Sequence, residues 1–315
     1  MDRKKSSPLV VFLSSLLWAL DAPFRKPLLV GGLQVGFVSF LEHLFNSLVS
    51  LPILWKHRTQ FKLLTKQQLA GLLYIGAGAS ALAAILFVKG AVAMNYNFTV
   101  AALLQKFQPL FAILLASLFL KEKINSKFWL FAAPVLVGGY LVTFGFVSPA
   151  SLWHAGAQVT AWQGPALAIL AALLWAGGTV VGRSLLSGLS FEFVTAMRFV
   201  FGLLFLLAYV LIWEHMQFGI MTGLFWRNAF IIAMLTGFFA LLFYYYGLRN
   251  TRASVATLME LGYPLALTVV NWKFLGIVLD KWQIAGALIL LASVTGIVLY
   301  GSDKNNKNLE TPTQI

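Results

Sequence analysis

Apolar residues along this chain come in long runs separated by short polar connectors that carry Gly, Pro, Asn or clustered charge. A helix needs roughly 20 apolar residues to cross the hydrocarbon core of a bilayer. Ten runs meet that need: 9–28, 35–54, 69–88, 98–119, 128–147, 165–185, 192–213, 228–247, 253–275 and 282–300. Stretches such as Ala101–Leu120 and Ile284–Tyr300 are apolar on every face, which suits a helix surrounded by lipid rather than an amphipathic helix on a soluble core. The pattern predicts an all-α integral membrane protein of ten transmembrane helices.

Composition agrees. Of 315 residues 60% are hydrophobic and 10% charged, with a mean hydropathy of +0.83. So little charge cannot cover a water-facing surface, so the lipid bilayer is the main solvent. Cysteine is absent, which excludes disulfides and thiolate metal sites. The net charge of +13 does not point to nucleic acid, because the basic residues sit in short clusters between apolar runs.

Those clusters set the orientation. With the N-terminus inside, the inner segments hold fifteen Lys and Arg, among them Arg3, Lys4, Lys5, Lys56, Arg58, Lys121, Lys123, Lys127 and Arg249. The outer ends hold six, Arg25, Lys26, Lys89, Arg227, Lys273 and Lys281, and Lys106 and Arg198 fall within spans. The 148–164 loop has no Lys or Arg, as an exported loop should. Both termini are expected in the cytoplasm.

The chain also resembles itself. Leu16-Leu17-Trp18-Ala19 recurs as Leu173-Leu174-Trp175-Ala176, a shift of 157 residues. Phe37-Val38-Ser39 recurs as Phe193-Val194-Thr195 at 156. Thr99-Val100-Ala101-Ala102-Leu103-Leu104-Gln105, followed by Pro109, matches Ser254-Val255-Ala256-Thr257-Leu258-Met259-Glu260, followed by Pro264, at 155. A near-constant shift over three helices indicates duplication. The duplication also argues that the first run is a true span, although Arg3-Lys4-Lys5 and Ala19-Leu20-Asp21-Ala22 imitate a cleaved signal. The expected division is 1–147, a first five-helix repeat; 148–164, a linker; 165–300, a second five-helix repeat; and 301–315, a cytoplasmic tail. Five is odd, so the second copy enters the membrane from the opposite side. Inverted repeats serve alternating access around a site near the midplane.

Ten spans in two inverted halves, Trp18-Ala19 and Trp175-Ala176 in the first helix of each, an Ala-rich fourth helix with a proline, and Glu122 after the fourth span together resemble the drug/metabolite transporter superfamily, EamA type. The resemblance covers about residues 8–300. It implies a bundle with a central cavity lined by the first four helices of each half, in a bacterial inner membrane, with 148–164 as a periplasmic linker. Substrates in that superfamily range over amino acids, other metabolites and toxic compounds. The second helix of each half often carries arginine there. Here the second half has Arg198, but the first has Glu42, followed by His43.

Charges inside a bilayer are costly and face a cavity or a partner. Asp21, Glu42, Lys106, Arg198 and Glu260 lie within spans, with Glu42 and Arg198 at equivalent positions and Gln105 and Glu260 at another such pair. Two arrangements accommodate them. They line a polar cavity that holds a charged or zwitterionic solute, or they neutralise one another, Glu42 with Arg198 and Lys106 with Glu260 or Asp21, and fix helix registry. Glu42, His43 and Glu260 are the candidates for proton coupling. Trp18 and Trp175 are candidate cavity walls, and Pro109 and Pro264 candidate hinges. Gly32–Gly36 and Gly178–Gly182 fit a close-packing spacing. No metal-binding helix, dinucleotide loop or ATP-binding loop occurs, so no cofactor, metal or enzymatic activity is expected. The function these features favour is secondary transport of a small polar or amphiphilic metabolite, such as an amino acid or a related compound. The alternative is a channel or lipid scramblase on the same bundle. The sequence sets no oligomeric state.

Overall fold

In lipid a chain has to satisfy its own backbone hydrogen bonds, and a helix does so within one segment. The computed structural model describes residues 3–120, 124–147, 160–249, 251, 256 and 259–300, and these form helices and connectors with no strand. Glu122, most of the 148–164 linker and the 301–315 tail lie outside the described residues.

Nine helices among the described residues are long and apolar enough to cross a membrane. They are α1 (Ser7–Val30), α2 (Val35–Lys56), α3 (Lys66–Ala93), α4 (Phe98–Leu115), α5 (Ser126–Phe144), α6 (Trp162–Leu185), α7 (Phe191–Trp213), α8 (Gly223–Arg249) and, after a shorter helix, α10 (Lys281–Tyr300). The shorter helix is α9 (Gly262–Leu275), the described part of the run expected at 253–275. Side chains close the exposed helix starts: Thr65 and Gln68 form a reciprocal capping box on α3, and Ser190 and Thr222 cap α7 and α8.

Several spans are irregular. In α1, two helical pieces meet at Leu20. In α3 residues Tyr74–Leu82 are wound as π-helix, and in α8 residues Ile232–Phe239 are wound the same way. Extended π segments are rare and collect at functional sites. The fourth span tightens to a 3-10 turn at Gln105–Phe107, and α9 is preceded by a turn at Glu260–Leu261. Pro109 and Pro264 therefore stand in the first turn of a restarted helix, where a missing N–H breaks no bond. The interruption precedes each proline instead of being centred on it.

The closest packing pairs an early helix with a late one. α2 lies against α7, α5 against α10, α3 against α6, and the first piece of α1 against the last part of α8. Gly138 and Gly286 let α5 and α10 touch backbone to backbone, since a Cβ at Gly138 would stand 2.9 Å from the Gly286 carbonyl. Gly178 admits the Ala79 methyl in the same way. Gly32, by contrast, has φ +95° and lies in the turn before α2, so Gly32–Gly36 is no helix-packing face.

Candidate functional site

The irregular stretches of five helices, α1, α3, α4, α8 and α9, meet around one cavity of about 200 Å³. Ala79 and Ser80 from the π turn of α3 border it, as do Thr236 and Gly237 from the π turn of α8. Gln105 and Gln108 come from the break in α4, and Glu260 and Tyr263 from the start of α9. Trp18 and Asp21 flank the break in α1, and α2, α6 and α7 contribute Glu42, His43, Trp175 and Arg198. Of the residues expected at a binding site, Lys106 alone does not line the cavity. It is buried beside it, its Nζ donating to the Glu260 carbonyl at 3.1 Å and standing 5.6 Å from the Tyr263 ring centroid.

The arrangement departs from the expected Glu42–Arg198 pair, while Lys106 does meet Glu260, through its backbone carbonyl. Glu42 takes Arg25, not Arg198: Arg25 Nη2 donates to Glu42 Oε2 at 2.8 Å. Arg25 also holds Asp21, with Nε and Nη2 donating to the two carboxylate oxygens at 2.5 and 2.7 Å. Thr236 Oγ1 donates to the same Asp21 at 3.1 Å, which joins α1 to α8. Charge counting placed Arg25 at an outer helix end, yet it is 5% exposed and inside α1. The signal for it was present, a carboxylate and a guanidinium four residues apart in an apolar run.

Arg198 has no ion-pair partner among the described residues. It donates to Ser80 Oγ at 3.1 Å, to the Tyr245 hydroxyl at 3.1 Å and to the Ala79 carbonyl of the π turn at 2.9 Å. His43 Nε2 shares Ser80 Oγ at 2.9 Å, while its Nδ1 lies 3.0 Å from the Ser39 carbonyl. His43 is thus tied into a buried network by both ring nitrogens.

Aromatic rings form the remaining walls. Trp18 meets Tyr244 at 5.3 Å and Tyr263 edge-on at 6.4 Å, and Trp175 meets Phe87 at 5.4 Å. Tyr244 also faces the Glu260 carboxylate. Tyr244 and Tyr245 are cavity residues, whereas Tyr246 stacks edge-on against Phe191 away from it. Flat aromatic surfaces thus surround fixed donors and acceptors, and no group of three or more side chains able to hold a metal ion occurs among the described residues.

Beyond the cavity, α2 and α7 are clasped at both ends. At one end the backbone N–H of Gln34, which precedes α2, donates to Gln217 Oε1 at 2.6 Å. Gln217 Nε2 returns a bond to the Gly32 carbonyl, and Glu214 accepts from the N–H groups of Gly36 and Phe37. At the other end the N–H of Ser190, which precedes α7, donates to Gln60 Oε1 at 3.1 Å, and Gln60 Nε2 donates to Ser190 Oγ at 2.9 Å.

Comparison with known proteins agrees with this architecture. A solved crystal structure superposes with a TM-score of 0.62 over 98% of this chain and 99% of its own, at 14% identity, a likeness of fold alone. The riboflavin transporter ImpX of Fusobacterium nucleatum is 32% identical to this chain over 312 residues, covering 94% of this chain and 99% of that protein. Residues 5–144 and 162–299 each match the EamA-like transporter family. With two family matches that together run along nearly all its spans, this multi-pass membrane protein belongs to the EamA-like transporters of the drug/metabolite transporter superfamily.

Proposed function

We propose that this protein is a secondary-active carrier of riboflavin or a closely related flavin, working by alternating access between two inverted five-helix halves in a bacterial inner membrane. The halves are 1–147 and 165–300, α9 belongs to the ninth of ten spans, and both termini lie in the cytoplasm.

The observation that carries this reading is the make-up of the cavity wall. Its residues fall into pairs separated by the shift seen in the sequence: Trp18 with Trp175, Glu42 with Arg198, Ser80 with Gly237, Phe87 with Tyr244, Gln105 with Glu260 and Gln108 with Tyr263. The π turns of α3 and α8 begin 158 residues apart, at Tyr74 and Ile232. The two clasps obey the same relation, Gln34 with Ser190 and Gln60 with Gln217. A site built from equivalent positions of two opposed halves, with equivalent clasps at its two ends, is what alternating access requires.

The flavin part rests on the kinship with a riboflavin transporter and on the chemistry of the wall. Three acids, Asp21, Glu42 and Glu260, offset three bases, Arg25, Lys106 and Arg198, so the site favours a neutral solute. Trp18, Phe87, Trp175 and Tyr244 give such a solute flat surfaces to lie on.

Thermal unfolding of the purified protein with riboflavin, amino acids and nucleosides tests the substrate. At a hundredfold its dissociation constant, riboflavin should add about 2.7 kcal/mol of stability. Stabilisation by an amino acid alone redirects the substrate. Liposomes loaded with unlabelled riboflavin should transiently concentrate external labelled riboflavin, and flux without such counterflow indicates a channel.

A further inference from the structure

Buried polar atoms almost always have partners, and each exception asks for a reason. Eight buried side-chain nitrogen and oxygen atoms lack one among the described residues. Six belong to Ser39, Asn46, Ser47, Thr251 and Asn271, none of which borders the cavity. The other two, Arg25 Nη1 and Gln105 Oε1, belong to residues that do. One can only donate a hydrogen bond and the other can only accept.

Arg25 cannot turn to satisfy itself. Its Nε and Nη2 are held by Asp21 and Glu42, so Nη1 is a fixed donor left over from a fully engaged guanidinium. Two carboxylates around one guanidinium give the cluster a formal charge of minus one. An uncharged carbonyl oxygen is therefore a better partner for Nη1 than a phosphate or carboxylate, which Asp21 and Glu42 repel. Gln105 sits where the fourth span breaks into a 3-10 turn, so its side chain is set by irregular backbone rather than by a regular helical face. Both residues line the cavity together with its aromatic rings.

We propose that Arg25 and Gln105 are the orientation- and specificity-determining residues of the site, Arg25 Nη1 donating to a ring carbonyl oxygen of the flavin's pyrimidinedione and Gln105 Oε1 accepting its ring N–H. This assignment rests on the flavin reading above. It adds a direction to the bound ring: the dione edge faces these two groups, and a ring without a carbonyl and an N–H leaves both unsatisfied.

Titration of the purified full-length protein, followed by quenching of flavin fluorescence, tests both contacts with analogues that change one atom at a time. The wild type should bind riboflavin and bind 3-methylriboflavin, which lacks the ring N–H, about tenfold or more weakly. In Gln105→Leu the ratio of the two affinities should fall to near one, because neither ligand can make the bond. A ratio unchanged by Gln105→Leu overturns the Gln105 contact. For Arg25, one of the 2-thio and 4-thio analogues should bind the wild type about fivefold or more weakly, sulfur being a poor acceptor. Arg25→Lys, which keeps the charge between the two carboxylates, should erase that penalty. If both thio analogues bind the wild type as riboflavin does, or if the penalty survives in Arg25→Lys, the Arg25 contact is wrong. Absence of riboflavin binding by the wild type overturns the flavin reading instead. Normal riboflavin binding with flat analogue ratios overturns the assignment alone.

Discussion

Arg25 neutralises two buried carboxylates at once, which makes it the residue whose removal should be felt most. Arg25→Gln leaves Asp21 and Glu42 close together without a cation, and breaking a buried pair by removing one partner costs about 3–5 kcal/mol. Thermal unfolding in detergent measures the loss, and adding Asp21→Asn and Glu42→Gln to the same variant should recover most of it. Failure to recover means that the loss comes from packing of the arginine stem, not from charge. At this scale the sequence was legible in parts. The rarity of charge within apolar runs picked out Asp21, Glu42, Arg198 and Glu260, all of which the structure brings to one cavity. It did not reveal partners, because pairing depends on which helix faces which. Glu42 and Arg198 hold equivalent positions in the sequence, yet one binds Arg25 and the other Ser80, Tyr245 and a backbone carbonyl. Lys106 was equally visible, but its acceptor is the Glu260 carbonyl, which no side-chain pattern encodes.

Among the elements, α2 and α7 carry the clearest consequence, because a clasp at each end suits a pair of gates. Each clasp ties the N-terminal approach of one helix to a glutamine lying beyond the C-terminal end of the other. Gln60→Ala should loosen one end and Gln217→Ala the opposite end. A lost hydrogen bond is worth about 1 kcal/mol, so populations should shift several-fold. The chain has no cysteine, so a cavity-lining Ala84→Cys supplies a single thiol for labelling. A membrane-impermeant maleimide should reach it faster from one side in the Gln60→Ala background and from the other side in Gln217→Ala. Equal acceleration from the same side in both rules out opposed gates. The helices themselves were read from the sequence closely, α2 and α10 to within two residues. Their internal deformations were not. Tyr74–Leu82 and Ile232–Phe239 contain no proline, and their π winding accompanies close approach elsewhere: Gly76 presses on α7 and Gly237 on Asn46 of α2. Such contacts are tertiary and leave no local period.

For the whole molecule, the two inverted five-helix halves we propose require an even number of crossings and both ends of the chain on one side. Reporters active only in the cytoplasm, fused to either terminus, should both give signal; signal from one terminus alone would refute the ten-span arrangement. The register of 155 to 157 residues was plain in the sequence because duplication preserves spacing even where side chains diverge. What the spacing could not convey is that equivalent positions converge on one cavity, since that depends on how the helices cross. The Asp21–Arg25 pair bears on how such a chain enters the membrane at all. An isolated arginine costs roughly 2.5–3.5 kcal/mol at the centre of a helix being inserted, and an isolated aspartate about the same. Four residues apart on one helix, they can pass into lipid joined, as a neutral unit, before any other span exists. Glu42 arrives with the next helix and brings an unpaired negative charge that finds relief on that same arginine. The first two spans thus share one arginine at the time of synthesis, which favours their release into the bilayer as a hairpin rather than one by one.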